Sequence, residues 1–186
     1  MINNMNETLQ VIAKRYSCRS YDNKKVEKEK VEAIALAAIQ SPSAMNRQPW
    51  KVMVITDKSL IDAMDQEAMS MLAAAEDKTG YERMMSRGGK LFYNAPVMFL
   101  ILKQANKDLD TGIVSQNIAL AATSLGLGNV ICGMAAMPFT SKKGEEFKQK
   151  VGISEEWKFG IAVLVGYAKE EGIQHTVDTS KIDYIE

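Results

Sequence analysis

Arg15, Ser17 and Arg19 alternate within a short stretch that follows a helical pattern. In an extended or turning segment, residues at this spacing point the same way. Two guanidiniums and a hydroxyl converging on one point suit a phosphate group, because each Arg fork grips two oxygens and the Ser donates one more bond. The same residues also fit a solvated basic turn pairing with Asp22 or Glu27. A second candidate is Ser41-Pro42-Ser43-Ala44-Met45-Asn46-Arg47-Gln48-Pro49-Trp50, between an amphipathic helix and an apolar strand. This run is poor core material but suits a rigid loop, where binding chemistry concentrates. Around Pro42, the side chains of Ser43, Asn46 and Gln48 offer neutral hydroxyl and amide groups to a sugar-like chain or a heteroaromatic ring edge. Alternatively, they satisfy their own turn.

A third candidate runs from Val130 through Cys132, Gly133 and Met134 to Pro138. Gly133 permits close approach of a ligand to the backbone, although the run also reads as a strand end turning toward a helix. Met45, Met53, Met64 and Met134 suit either an adaptable apolar pocket or ordinary gap filling.

Several chemistries fall away. The chain has one histidine, His175, and two distant cysteines, Cys18 and Cys132, so it carries neither a multi-histidine metal site nor a zinc signature. It contains no G-x-S-x-G elbow, no G-x-G-x-x-G after a strand and no P-loop. For an enzyme of this composition, a bound organic cofactor is the expected carrier of the hard step.

The elements that must position these residues follow from periodicity. Residues 7–15 read as a short helix, and 27–40 as an amphipathic one through Val31, Ile34, Ala35, Ala38 and Ile39. Residues 51–56 are a short β-rich run, and Asp57 caps a helix extending through Leu60, Met64 and Met71. Residues 77–94, punctuated by Gly80, Gly88 and Gly89, read as a partly irregular, mobile flap. Continuous apolar character makes 96–102 a buried strand. Residues 111–127 form a helix with almost no solvent face, ended by Gly126 and Gly128. Residues 129–134 are a strand, 145–151 a short helix, 158–167 the last strand, and 168–186 a polar tail that could reach a neighbour. Without a repeat or linker, residues 1–186 read as one α+β domain, a small sheet between helices.

Among the 186 residues, 23 basic and 23 acidic side chains cancel. That argues against nucleic acid or an anionic membrane as the main partner. The first residues lack a signal pattern, and no apolar run is long enough to span a bilayer, so the expectation is a soluble, cytoplasmic protein.

Read in order, the motifs resemble the nitroreductase family of flavin mononucleotide (FMN) enzymes. The matching text is Arg15-Tyr16-Ser17-Cys18-Arg19-Ser20-Tyr21, the Pro42 to Trp50 run, Asn94-Ala95-Pro96, Asp110-Thr111-Gly112-Ile113, Gln116-Asn117, Leu120-Ala121-Ala122, Gly126-Leu127-Gly128 and Gly166-Tyr167. The resemblance implies a nitroreductase-like flavin fold with a mostly antiparallel sheet, assembled as an intertwined homodimer with FMN at the interface. It implies that Arg15, Ser17 and Arg19, with Tyr16 adjacent, hold the phosphate. Pro42, Ser43, Ala44, Met45, Asn46 and Gln48 of the partner chain would meet the ribityl chain and ring, and Cys132, Gly133 and Met134 would flank the ring. The 112–127 helix would then be central to the dimer interface. Family members often add a Lys or Arg after the last strand. This tail offers Lys169, His175 and Lys181 but no arginine, and His175 is the expected substitute.

The implied activity passes electrons from NAD(P)H through the flavin to a nitroaromatic, quinone or similar small acceptor, with no catalytic side chain. Competing readings are another flavin reaction on the same fold, such as dehalogenation or flavin fragmentation, a flavin-binding redox protein without turnover, or a purely structural dimer.

Overall fold

The computed structural model describes residues 6–174 and 176–186. Its centre is a four-stranded sheet of β1 (Trp50–Ile55), β2 (Val97–Lys103), β3 (Gly128–Cys132) and β4 (Lys158–Gly166), in the order β1-β2-β4-β3. Every neighbouring pair is antiparallel. Register ties Trp50 to Lys103 and Lys103 to Lys158 at one end of the sheet. At the other end, Gly128 meets Gly166.

Apart from Lys103 and Lys158 at their ends, the two middle strands are apolar because both of their faces are covered. Met98, Leu100, Leu102, Ala162 and Leu164 point into one core, with Ile61, Met64, Phe92 and Phe147. Val97, Phe99, Ile101, Val163 and Val165 point into the other, against Val31, Ile34, Val114 and Ile118. Each fully buried side chain of this size contributes about 1.5–3 kcal/mol.

The helices are α1 (Glu7–Lys14), α2 (Lys28–Ile39), α3 (Lys58–Ala74), α4 (Thr79–Met85), α5 (Asp108–Ser124), α6 (Met137–Thr140) and α7 (Gly144–Val151). Asp57 caps α3 as the sequence predicts, its carboxylate accepting from the Ser59 and Leu60 amides. Gly152, at φ 79°, closes α7.

Three expectations shift. The 77–94 segment is not simply irregular: it contains α4, and Met84, Leu91 and Phe92 are each about 1% exposed. Helix α5 starts earlier, at Asp108, and is not enclosed on all sides by its own chain. Its Val114–Ile118–Ala122 stripe faces the sheet, Gln116 and Ser124 are exposed, and Asn117, Leu120 and Ala121 are half-buried. Strand β3 stops at Cys132, where Gly133–Ala136 winds into a 3-10 turn.

Helix α1 buries none of its side chains, so Leu9 and Ile12 remain exposed. The tail folds back only at its start, through the Tyr21–Ala168 bridge. Beyond it, Ile173 and Ile185 are almost fully exposed.

Candidate functional site

The segment carrying Arg15, Ser17 and Arg19 lies extended against the far end of the sheet. Ser17 bridges Asn129, and the Cys18 amide donates to the Asn129 carbonyl at 2.8 Å. Alternation turns Cys18 into the core at 2% exposure and leaves Ser17 half-buried and Arg19 exposed. A Cβ on Gly128 would come within 2.7 Å of the Cys18 sulfur, so that glycine is what lets the segment dock. Tyr21 fixes the other end, its buried hydroxyl donating to the Leu164 carbonyl at 3.0 Å.

Neither Arg15 nor Arg19 forms an ion pair among the described residues. Arg19 reaches only the Ser17 carbonyl, at 3.3 Å. The partners suggested for a bland basic turn are engaged elsewhere: Glu27 accepts from Tyr167 and pairs with Lys24 and Lys30, while Asp22 accepts from the Lys24 amide. Unpaired guanidiniums on a braced segment are available to an anionic ligand.

Beside this segment lies a cavity of about 410 Å³ lined by Arg19, Asn23, Arg87, Lys90, Asn94 and Lys169, among others, with Asp22 its single carboxylate. Lys169 arrives because the start of the tail packs on the N-terminal segment. Its amide donates to the Ser20 carbonyl at 3.1 Å, and Gly172 sits so close to Tyr16 that a Cβ would lie 1.9 Å from the ring. Lys90 donates to Asn94 at 3.2 Å and to Asp62 at 3.4 Å, and Asn94 donates to Asn23 at 2.7 Å.

Arg87 and Lys90 belong to no motif in the sequence, where their segment reads as a flap, and Asn94 stands out there only through the Asn94-Ala95-Pro96 match. The four-residue spacing of Lys90 and Asn94, just before the Ala95-Pro96 strand entry, was the available signal. His175 lies outside the described residues.

The 42–48 loop is elsewhere. It precedes β1 at the sheet end marked by Trp50, Lys103 and Lys158, on the opposite edge from β3. The seven residues of β2 separate the two ends by roughly 20 Å. The loop's base is anchored where Asn117 donates to the buried Ser41 at 3.0 Å. Its tip is open, with Met45 82% exposed.

Met45, Asn46 and Gln48 all take left-handed backbone, at φ 57°, 53° and 47°. Such conformations are costly away from glycine and gather at ligand-binding sites. Ser43 holds the turn by accepting the Gln48 amide at 2.9 Å, and Gln48 donates to Asn46 at 2.9 Å. Part of this loop therefore does satisfy itself, yet its amide and hydroxyl groups stay on the surface.

Cys132, Gly133 and Met134 occupy the outer edge of the sheet, midway along. Burial pushes the Cys132 thiol up to about 11, so it stays protonated at neutral pH and is no nucleophile. Gly133 is exposed, and a Cβ there would meet Ile161 only at ordinary contact distance, 3.6 Å. No group of residues able to hold a metal ion occurs among the described residues. Nor is any described helix long and apolar enough to cross a membrane.

A sheet between two helical layers, with unpaired cations gathered at one end, describes an α+β protein suited to an anionic ligand. The model of the Nitroreductase family matches residues 12–167, and the chain belongs to that family. A nitroreductase with bound FMN from Desulfitobacterium hafniense DCB-2 is 46% identical over 98% of this chain and 100% of that one, with a TM-score of 0.94. A nitroreductase with bound FMN from Bacteroides fragilis NCTC 9343, 24% identical with a TM-score of 0.87, covers 98% of this chain and 100% of its own and shares the fold. A protein of Archaeoglobus fulgidus provisionally named NADH dehydrogenase/NAD(P)H nitroreductase is 28% identical over 90% of this chain and 88% of its own length.

Proposed function

We propose that this chain is an NAD(P)H-dependent FMN oxidoreductase acting on small acceptors such as nitroaromatics and quinones, and that it works as a homodimer. The observation that carries the reading is the 46% identity, over nearly the whole chain, to a nitroreductase that binds FMN. The donor set fits the cofactor. Arg15, Arg19, Arg87 and Lys169 have no carboxylate partner among the described residues, and FMN brings a dianionic phosphate and a ring that gains negative charge on reduction.

Arg15, Ser17 and Arg19, with Tyr16 beside them, hold the phosphate; Lys169 is the tail cation nearest to hand, and His175 remains a candidate for the same task. Pro42, Ser43, Ala44, Met45, Asn46 and Gln48 present neutral hydrogen-bonding groups from the opposite end of the sheet. At roughly 20 Å, they meet the same ligand only when a second copy supplies them. The exposed apolar residues of α1 and the tail, and the half-buried Leu120 and Ala121 of α5, give that second copy a surface to cover. Cys132, Gly133 and Met134 border the ring side, where the exposed Gly133 leaves room for close approach. Helix α4 and the Gly88–Gly89 turn, next to the cavity, are the candidate gate.

When bound, FMN supplies the redox chemistry, taking a hydride from NAD(P)H and passing two electrons to the acceptor. The protein binds, orients and shields. No side chain here is asked to move a proton, and the buried thiols and Tyr21 stay un-ionised at neutral pH because burial raises each of them.

The test is optical. The purified protein should be yellow with FMN, bleach anaerobically with NADH or NADPH, and recover its colour on addition of a nitroaromatic or quinone. A colourless protein indifferent to added FMN would overturn the reading.

A further inference from the structure

We infer that Asp65 is a positioning residue for the cation-lined cavity: from the core beneath, its carboxylate holds the 90–94 segment so that Lys90 and Asn94 stand in the cavity wall. That this wall serves FMN rests on the function proposed above.

Asp65 belongs to the face of α3 that otherwise buries Ile61, Met64 and Ala68, and it is only 5% exposed. An apolar side chain would serve the core better there, because a buried carboxylate is costly unless it is bonded. No cation among the described residues forms an ion pair with it. Lys90, whose charge acts on Asp65, directs its ammonium to Asp62 and Asn94 instead. What Asp65 does accept is the Phe92 backbone amide, at 2.5 Å. Burial pushes its pKa up, opposed by the Phe92 and Leu91 amides and by the charge of Lys90.

The held segment needs anchoring. Tyr93 and Asn94 both adopt left-handed backbone, at φ 52° and 65°, immediately after the two residues whose side chains are buried. A bulky residue such as Tyr keeps that conformation only where its surroundings impose it. From Phe92 the connections run to the cavity. Lys90 bonds Asn94, and Asn94 bonds Asn23, four positions beyond Arg19 on the N-terminal segment. Asp65 also lies near enough to Cys132 for its charge to raise that thiol. It therefore sits behind two of the elements that border the candidate site.

A double-mutant cycle on the full-length protein tests this, read as FMN dissociation constants from flavin fluorescence. Asp65→Ala and Lys90→Ala should each weaken FMN by about tenfold, while the double variant should lose clearly less than the product of the two losses, because part of the effect of Asp65 runs through Lys90. Asp65→Asn, which keeps an oxygen to accept the Phe92 amide, should fall between wild type and Asp65→Ala. It replaces the Ala variant in the cycle if that one does not fold. Losses that multiply in the double variant, or an Asp65→Ala dissociation constant equal to wild type, would overturn the inference.

Hydrogen exchange on the flavin-free protein separates this failure from failure of the proposed function. Should wild type itself ignore FMN, the cofactor reading falls, and exchange alone decides the role of Asp65. Deprotection confined to residues 87–94 supports it, whereas uniform deprotection of the sheet overturns it.

Discussion

The two polar segments that stand out in the sequence are built in opposite ways. The 15–23 segment is pinned from below, by Cys18 packed on Gly128, by the Tyr21 hydroxyl on Leu164, and by backbone bonds to β3 and the tail. Its Arg19 faces a cavity whose other walls come from the same chain, while Arg15 lies outside that lining. The 42–48 loop is anchored at its base, holds its left-handed turn with its own side chains, and presents a tip that the described residues leave open. In the function proposed above, the first region is one half of the site, nearly complete within its own chain. The second would be the other half, offered outward at the far end of the sheet. The difference teaches that a ligand needing both must be shared between two copies.

The comparison can be broken most severely at the surface proposed to lie between copies. Ala121→Glu places a charge on the half-buried stripe of α5, and an unpaired buried charge is strongly unfavourable. The variant should run as a monomer in size-exclusion chromatography and lose its flavin, although neither polar segment has been touched. Next come the cations: Arg15→Ala and Arg19→Ala should each cost about 1.5–3 kcal/mol of FMN binding, roughly a tenfold to hundredfold rise in dissociation constant. Unchanged affinity in both variants would count heavily against the phosphate role.

Smaller effects sharpen the contrast between pinned and open. Tyr21→Phe removes a buried hydrogen bond beneath the first segment and should lower stability by about 1 kcal/mol in urea unfolding, because the Leu164 carbonyl loses its donor. Met45→Gly should do no such harm. Left-handed backbone costs a non-glycine residue about 1–2 kcal/mol, partly offset by about 0.5–1 kcal/mol of glycine's extra freedom when unfolded. The exposed Met45 buries little, so stability should stay level or rise slightly while FMN binding falls, if the loop's shape serves a ligand.

Much of this arrangement was legible from residue order. Strand β2 announces itself by an unbroken apolar run because it is buried on both faces, and α3 begins where Asp57 caps it. The period-two spacing of Arg15, Ser17 and Arg19 matches an extended backbone in which Cys18 turns into the core between half-buried Ser17 and exposed Arg19, although of the three only Arg19 lines the cavity. Other features were not legible, for physical reasons. Helix α4 is short and hidden among glycines, with Met84 its only buried side chain. Asp65 reads as a solvated position on an amphipathic helix, and only the fold reveals that it faces a backbone amide in the core. The separation of the two polar segments is a matter of sheet order and register, which put β1 and β3 on opposite edges. Local pattern carries no trace of it.

The sharing of one site by two copies is tested most directly by complementation. One version of the chain carries Arg15→Ala with Arg19→Ala, the other Ser43→Ala with Asn46→Ala, and each alone should bind FMN poorly. Unfolded together and refolded, half of the dimers should be mixed, each with one intact site, restoring about a quarter of wild-type FMN capacity if the assembly is a symmetric dimer. A mixture that binds no more FMN than its two components refolded separately would contradict the shared site.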